Sequence, residues 1–195
     1  ENVKGMLIGN AKGYTKMVMA RFKELGYRPQ LFLLNAADCG VPQKRERVFF
    51  VAVRNDIDVP PLKLAPTHRW ISAGEATSDV QLLTTEEKDE TCIKRFAIGK
   101  EAGKIKEGET SEKFFSLVRL DKSKPSPSIT AALSGNSTAS VIHSTECRNL
   151  TFREVKRLGS FPDDYHAKTD KIGKYMIGMS VPPKMTEQVA RAVCE

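Results

Sequence analysis

The sequence predicts an α/β protein: two apolar strands paired antiparallel, helices before and after them, and a less regular, β-containing middle. Three observations predict it. Residues 30–35 and 47–54 are short apolar runs separated by a polar turn with Gly40 and Pro42, the pattern of an antiparallel pair. Residues 11–25 carry apolar side chains at helical spacing. Pro60-Pro61 then breaks the pattern, the composition turns polar, and regular periodicity returns from Arg148.

Each element has a local reason. In the first helix, Tyr14, Val18, Phe22 and Leu25 form one stripe, with lysines and Arg21 opposite. Gly26 suits its C-cap, and Pro29 prevents re-extension. In the middle, Ser72-Ala-Gly-Glu75 has a capping-box pattern for a short helix, and the charged run 86–95 predicts an exposed one. Residues 99–113, rich in Gly, Lys and Glu, are expected to be a mobile loop. A strand is expected at 114–120, and another β-prone stretch at Ser128-Ile-Thr130, followed by a polar loop at 134–138. Thr151-x-x-Glu154 is a capping box opening a helix whose apolar face holds Val155 and Leu158; Gly159 and Pro162 end it. Pro182-Pro183 starts a last helix over 184–193 with Met185, Val189 and Val193 on its buried stripe.

The composition is that of an ordinary folded domain, 40% hydrophobic and 28% charged over 195 residues. No apolar run approaches the roughly 20 residues that span a bilayer, and no signal-peptide pattern is present. The net charge of +7 permits a polyanionic partner. The excess lies outside the middle, where 12 basic residues meet 12 acidic ones over 61–147. Cys39, Cys92, Cys147 and Cys194 are far apart and form no zinc-ligand spacing, so free thiols and no metal are expected.

The most informative stretch is 35–54. Gln43, Arg45 and Arg47 alternate immediately before the second strand, so the two guanidinium forks should share a face. Such forks suit phosphates and the oxygen edges of bases. Taken by itself the stretch reads equally as a basic hairpin loop with solvated charges.

Four blocks change that balance. Ala-Asp-x-Gly-Val-Pro-Gln43-x-Arg45-x-Arg47 resembles motif VIII of the cytosine-5 DNA methyltransferases. Glu1-Asn2-Val3 resembles motif VI, the stretch from Arg148 to Tyr165 resembles motif IX, and Tyr175-Met-Ile-Gly-Met-Ser-Val-Pro-Pro183 resembles motif X. They occur in the family's order. The family's Pro-Cys nucleophile and Phe-x-Gly-x-Gly loop are absent: no Pro-Cys dipeptide occurs, and no two of the 13 glycines sit two apart. The resemblance therefore covers about the C-terminal half of such an enzyme, and with no initiator Met, residue 1 is not expected to be a natural start.

The resemblance implies the last part of a Rossmann-like methyltransferase sheet over 1–60, a target-recognition region over 61–147, and a return to the catalytic domain over 148–195. The implied reaction transfers methyl from S-adenosylmethionine to carbon 5 of a cytosine flipped from double-stranded DNA. Glu1 would contact ring nitrogen 3 and the exocyclic amine, Arg47 the ring oxygen, and Asn2 would position neighbouring loops. Arg45 would hold the phosphate of the flipped nucleotide or orient the catalytic loop, and Gln43 would support DNA binding near the vacated space. Ser128, Thr130, Asn136 and Ser137 are the candidate base-reading residues, in a region whose Pro125-Ser-Pro-Ser-Ile-Thr130 is similar to many short recognition regions. Arg148, Thr151 and Glu154 would brace the recognition region. Ser180 and Val181 would touch the cofactor through backbone and shape, although Met179 replaces the family's asparagine. The cofactor would be bound mainly by the missing N-terminal half, as part of the same chain or as a separate subunit, and this chain alone would be inactive. The protein is expected to be cytoplasmic, bacterial or phage-encoded, of restriction-modification or phage type. A non-catalytic DNA-binding module derived from such an enzyme is the alternative. The RNA-methylating branch carries a Cys-Phe-Thr tripeptide, which this chain lacks.

Overall fold

A computed structural model of the chain describes residues 1–80, 83–94, 96–114, 116–134 and 141–194. Its first part is a three-stranded antiparallel sheet in the order β1 (Asn2–Val3), β3 (Glu46–Arg54), β2 (Tyr27–Asn35). Helix α1 (Ala11–Glu24) connects β1 to β2. Gly26, at φ 83°, ends the helix in the left-handed region where a side chain is strained. The strand then starts at Tyr27, earlier than the apolar run suggested, and takes in Pro29 opposite Ala52. Proline is tolerated because, among the described residues, β2 lies at the edge of the sheet and pairs with β3 alone.

The helix stripe needs correction. Tyr14 and Leu25 are exposed, while Thr15, Val18 and Phe22 turn inward. The Phe22 ring meets Tyr27 edge-on, at 6.1 Å between centroids, and Thr15 Oγ1 donates to Met6 O at 2.6 Å.

Between β2 and β3 the chain makes a tight turn. The Asn35 side chain accepts from the backbone N–H groups of Ala37 and Arg45, and Gly40 adopts φ 73°. On this turn Leu34, Ala36, Cys39, Val41 and Phe49 pack against Met185 of α7 (Pro183–Cys194). Val189 joins them, but Val193, expected in the buried stripe, is exposed because the helix end runs past the sheet.

The middle is built from short pieces: α2 (Ala73–Ala76), α3 (Thr85–Thr91), α4 (Ala97–Ala102) and the parallel pair β4 (Val118–Arg119) and β5 (Val141–Ile142). The strand expected at 114–120 is thus two residues long, and Ser128-Ile-Thr130 belongs to no strand. The segment 99–113 is not simply a loop. It holds the end of α4, buries Ala102 and Ser111, and presses Gly99 so close to Ile93 that a Cβ would lie 2.1 Å from its carbonyl oxygen. Arg119 organises this region from inside. Only 6% exposed, it donates to the carbonyls of Ala102, Ile105, His143, Ser144 and Glu146.

The C-terminal part begins as the capping box required. Thr151 and Glu154 cap α5 (Phe152–Leu158) reciprocally, with Val155 and Leu158 fully buried. Helix α6 (Asp170–Met179), which the sequence reading did not resolve, follows. One core joins Leu120, Ile129 and Leu133 to Leu150, Val155, Leu158 and Ile177, so it runs across the expected division at 147/148. Arg148 lies at the centre of that junction. It forks onto Glu154 at 2.8 and 2.9 Å, and its backbone bridges Cys92.

Candidate active site

The pairing of β1 with β3 places Val3 opposite Arg47 and Asn2 opposite Val48. Glu1 then stands diagonally from Arg47 on the same face, within reach for a long side chain. Arg47 Nε lies 2.9 Å from Glu1 Oε1, and Arg47 Nη1 donates to the Glu46 carbonyl at 2.8 Å. The two residues that motif chemistry singled out as catalytic are therefore brought together from opposite ends of a 46-residue separation. The Arg47 side chain is 14% exposed and Glu1 33%, so the pair opens on solvent through its carboxylate. Burial lowers the Arg47 pKa, and the Glu1 charge opposes that shift. Chemically this is a planar donor fork beside an acceptor, suited to an edge that offers an oxygen and an amine.

The other two motif VIII residues go elsewhere. Arg45 precedes β3, which begins at Glu46, and the turn tucks it against Ile129 and Gly178. Arg45 is 3% exposed. Its Nη1 donates to Ile129 O at 2.7 Å and lies 3.4 Å from Ser128 Oγ, and its Nη2 donates to Gly178 O at 2.8 Å. Its Nε has no hydrogen-bond partner among the described residues. Burial, then the like charge of Arg47, lowers its pKa to about 10 against a smaller opposing effect of Glu1. Gln43 is 2% exposed. It donates to Leu158 O at 3.2 Å and accepts from Ile129 N–H at 3.1 Å. Buried backbone groups thus hold the polar atoms of both Gln43 and Arg45, the two residues expected near DNA.

Ser128 and Thr130 are exposed. Both line a cleft of about 650 Å³ with Thr110, Lys113, Ser116 and Val141. Ser116 has φ 63°, an uncommon conformation for a residue with a side chain. No sequence signal pointed to Thr110, Lys113 or Ser116, because only the folding of 110–118 against 127–130 makes them neighbours. Asn136 and Ser137 lie outside the described residues.

At the α6–α7 junction, Ser180 Oγ donates to Met176 O at 2.6 Å. Val181 packs into the core around Met185. Met179 is 64% exposed. Gly178 approaches the middle region so closely that a Cβ would lie 2.4 Å from Ala131 N and 2.5 Å from Thr130 C. Cys39 is a packing residue, 2% exposed, and burial followed by the Asp38 charge pushes its thiol to about 11. Among the described residues no cluster of His, Cys, Asp and Glu could hold a metal ion, and no helix is long and apolar enough to cross a membrane.

These four blocks, in the family's order, agree with a match to the C-5 cytosine-specific DNA methylases over residues 1–195. The chain belongs to that family. It is 31% identical over 218 residues to the Type II methyltransferase M.NgoFVII of Neisseria gonorrhoeae, covering 99% of this chain and 57% of that protein. Over 58 residues it is 52% identical to the Type II methyltransferase M.BspRI of Lysinibacillus sphaericus, covering 30% of this chain and 14% of that protein. In structure it is similar to a Spodoptera frugiperda DNMT2 mutant, with a TM-score of 0.71 and 18% identity over 100% of this chain and 65% of that one. That likeness shows the α/β methyltransferase fold. The chain spans just over half of M.NgoFVII, and a similar share of other relatives, such as 61% of M.DdeI from Desulfomicrobium norvegicum.

Proposed function

We propose that this chain is the C-terminal portion of a DNA (cytosine-5-)-methyltransferase of restriction-modification or phage type. The observation that carries the reading is the Glu1–Arg47 pair at 2.9 Å, held by the β1–β3 register. A flipped cytosine would take over both partners. Arg47 would donate to the ring oxygen, and Glu1 would engage ring nitrogen 3 and the exocyclic amine. The ladder fixes the Arg47 backbone, so its fork waits where negative charge develops, which is how preorganised donors lower a barrier. Ser128 and Thr130, exposed beside the cleft, would meet double-stranded DNA from the recognition region.

The methyl donor, S-adenosylmethionine, would supply the methyl group. The residues here fit only one edge of its site. Ser180 spends its hydroxyl on Met176, Val181 is packed, and Met179 offers a thioether where the family has an amide. Ser180 and Val181 would contribute backbone and shape, and the rest of the site and the nucleophilic cysteine would come from an N-terminal half.

The test is transfer of labelled methyl to cytosine carbon 5. This chain alone should transfer none. The protein carrying both halves should transfer, and Arg47→Ala should lower turnover about 10²–10³-fold. Arg47→Lys should restore little, since a point charge lacks the planar fork. Arg54→Ala, at the far end of β3 and paired with Asp56 on the surface, should change little. Transfer by this chain alone would end the half-enzyme reading. Site-specific binding with no transfer by the two-half protein would favour the binding module.

A further inference from the structure

We propose that Arg45 is a positioning residue: it binds no DNA phosphate but clamps the recognition segment and the end of α6 to strand β3, setting where Arg47 stands. The inference rests on the methyltransferase reading above. Three parts of the fold meet at this guanidinium. Ile129, 1% exposed, belongs to the recognition segment, and Gly178 is in the last turn of α6. Arg45 itself lies two residues before the arginine that faces Glu1. One fork holds both carbonyls, at 2.7 and 2.8 Å.

The clamp is reinforced along the turn that leads into β3. Gln43 accepts from the N–H of Ile129, so residues 43 and 45 grip both backbone groups of one residue. Between them, Lys44 N–H donates to Ser126 O at 2.8 Å, and Ser126 N–H donates to Pro42 O at 3.0 Å. Gly178 closes the third side against Thr130 and Ala131. The arrangement requires arginine. Two carbonyls from separate segments need two donors at fixed separation, which the planar fork supplies and a lysine ammonium does not. A carbonyl at the C-terminal end of a helix also favours a cation. For Arg45 to bind phosphate it would have to leave both carbonyls unpartnered inside the protein, where such groups are costly.

A shift of the recognition segment, 128–130, would therefore reach Arg47 through one side chain. The experiment uses the two-half protein with Arg45→Lys and Arg45→Gln, correcting for folded enzyme by active-site titration. Expected is a fall in kcat of at least ~10-fold with KM for DNA within ~3-fold. The slope of log affinity against log salt should be unchanged. Uniformly weaker binding, with that slope reduced by about one, would make Arg45 a phosphate ligand and overturn the proposal. Unchanged kcat per folded enzyme would reduce Arg45 to a stabilising residue and overturn it as well. If the unaltered protein transfers no methyl, it is the functional reading that fails. Should neither variant fold, hydrogen exchange over 126–131 of the unaltered protein decides. Protection retained on DNA binding supports the clamp, and protection lost on DNA binding overturns it.

Discussion

Replacing Gly178 by alanine tests the close approach of α6 to the middle region. The new Cβ would lie 2.4 Å from Ala131 N, 2.5 Å from Thr130 C and 2.7 Å from Ala131 Cα, all backbone atoms that no rotamer change can remove. Ordinary contact begins near 3.4 Å, so the helix end must back away by about 1 Å. That movement would stretch the Arg45–Gly178 hydrogen bond from 2.8 Å to well beyond bonding distance. Overpacking of this kind costs about 1–3 kcal/mol. Loss of a charge-assisted bond to a buried carbonyl adds about 1.5–3 kcal/mol. Alanine's better helix propensity returns about 1 kcal/mol. The net loss is about 1.5–5 kcal/mol, which for a chain this size lowers Tm by roughly 3–20 °C. Calorimetry of Gly178→Ala reads it directly. Gly13→Ala in α1, with nothing within 4 Å of its Cβ, is the control and should gain about 1 kcal/mol. A Gly178→Ala protein that melts with the wild type would refute the packing argument.

Glu154→Gln should destabilise the protein at neutral pH by up to about 3 kcal/mol, because it leaves the buried Arg148 with only the half-exposed Glu146 as counter-charge. Burial by itself would raise the Glu154 carboxyl, but the hydrogen bonds and charge of Arg148 prevail and hold it below the usual 4.5. Its contribution is thus present above about pH 4.5 and lost as pH falls through the lower folded value, so denaturant melts of Glu154→Gln should show a flatter acid limb than wild type. Cys39, with its thiol pushed to about 11, should resist iodoacetamide at pH 8 while exposed Cys194 is alkylated, as read by peptide mass spectrometry. DNA binding by this chain should be weak, about 10⁻⁴–10⁻⁶ M at physiological salt, and steeply salt-dependent. Salt-independent nanomolar binding in a filter assay would contradict this.

What the sequence determined by itself is local or periodic. The capping box at Thr151 and Glu154 closes within three residues, so α5 was legible before any packing was known. The same holds for the start of α7 after Pro182-Pro183, and for β2 and β3, whose apolar runs and intervening turn carry their own pairing signal. The resemblance to the family's motifs marked Glu1 and Arg47 as candidates, and the β1–β3 register brings them to 2.9 Å. Other features depended on contacts between distant segments, which no local pattern encodes. The stripe of α1 shifted by one residue to Thr15, because the helix covers only part of the sheet and leaves Tyr14 and Leu25 in solvent. The run 99–113 read as a loop by composition, yet its small residues let the backbone pack tightly against Ile93. Arg45 and Arg47 are the same residue type two positions apart, and composition and spacing alone do not tell them apart; only the family resemblance gave them different roles. Tertiary structure separated them. Two buried carbonyls, 84 and 133 residues away, claim the first guanidinium, while the open end of the sheet leaves the second beside Glu1. A buried carbonyl must find a donor wherever the fold brings one, and that requirement can be read only once the fold exists.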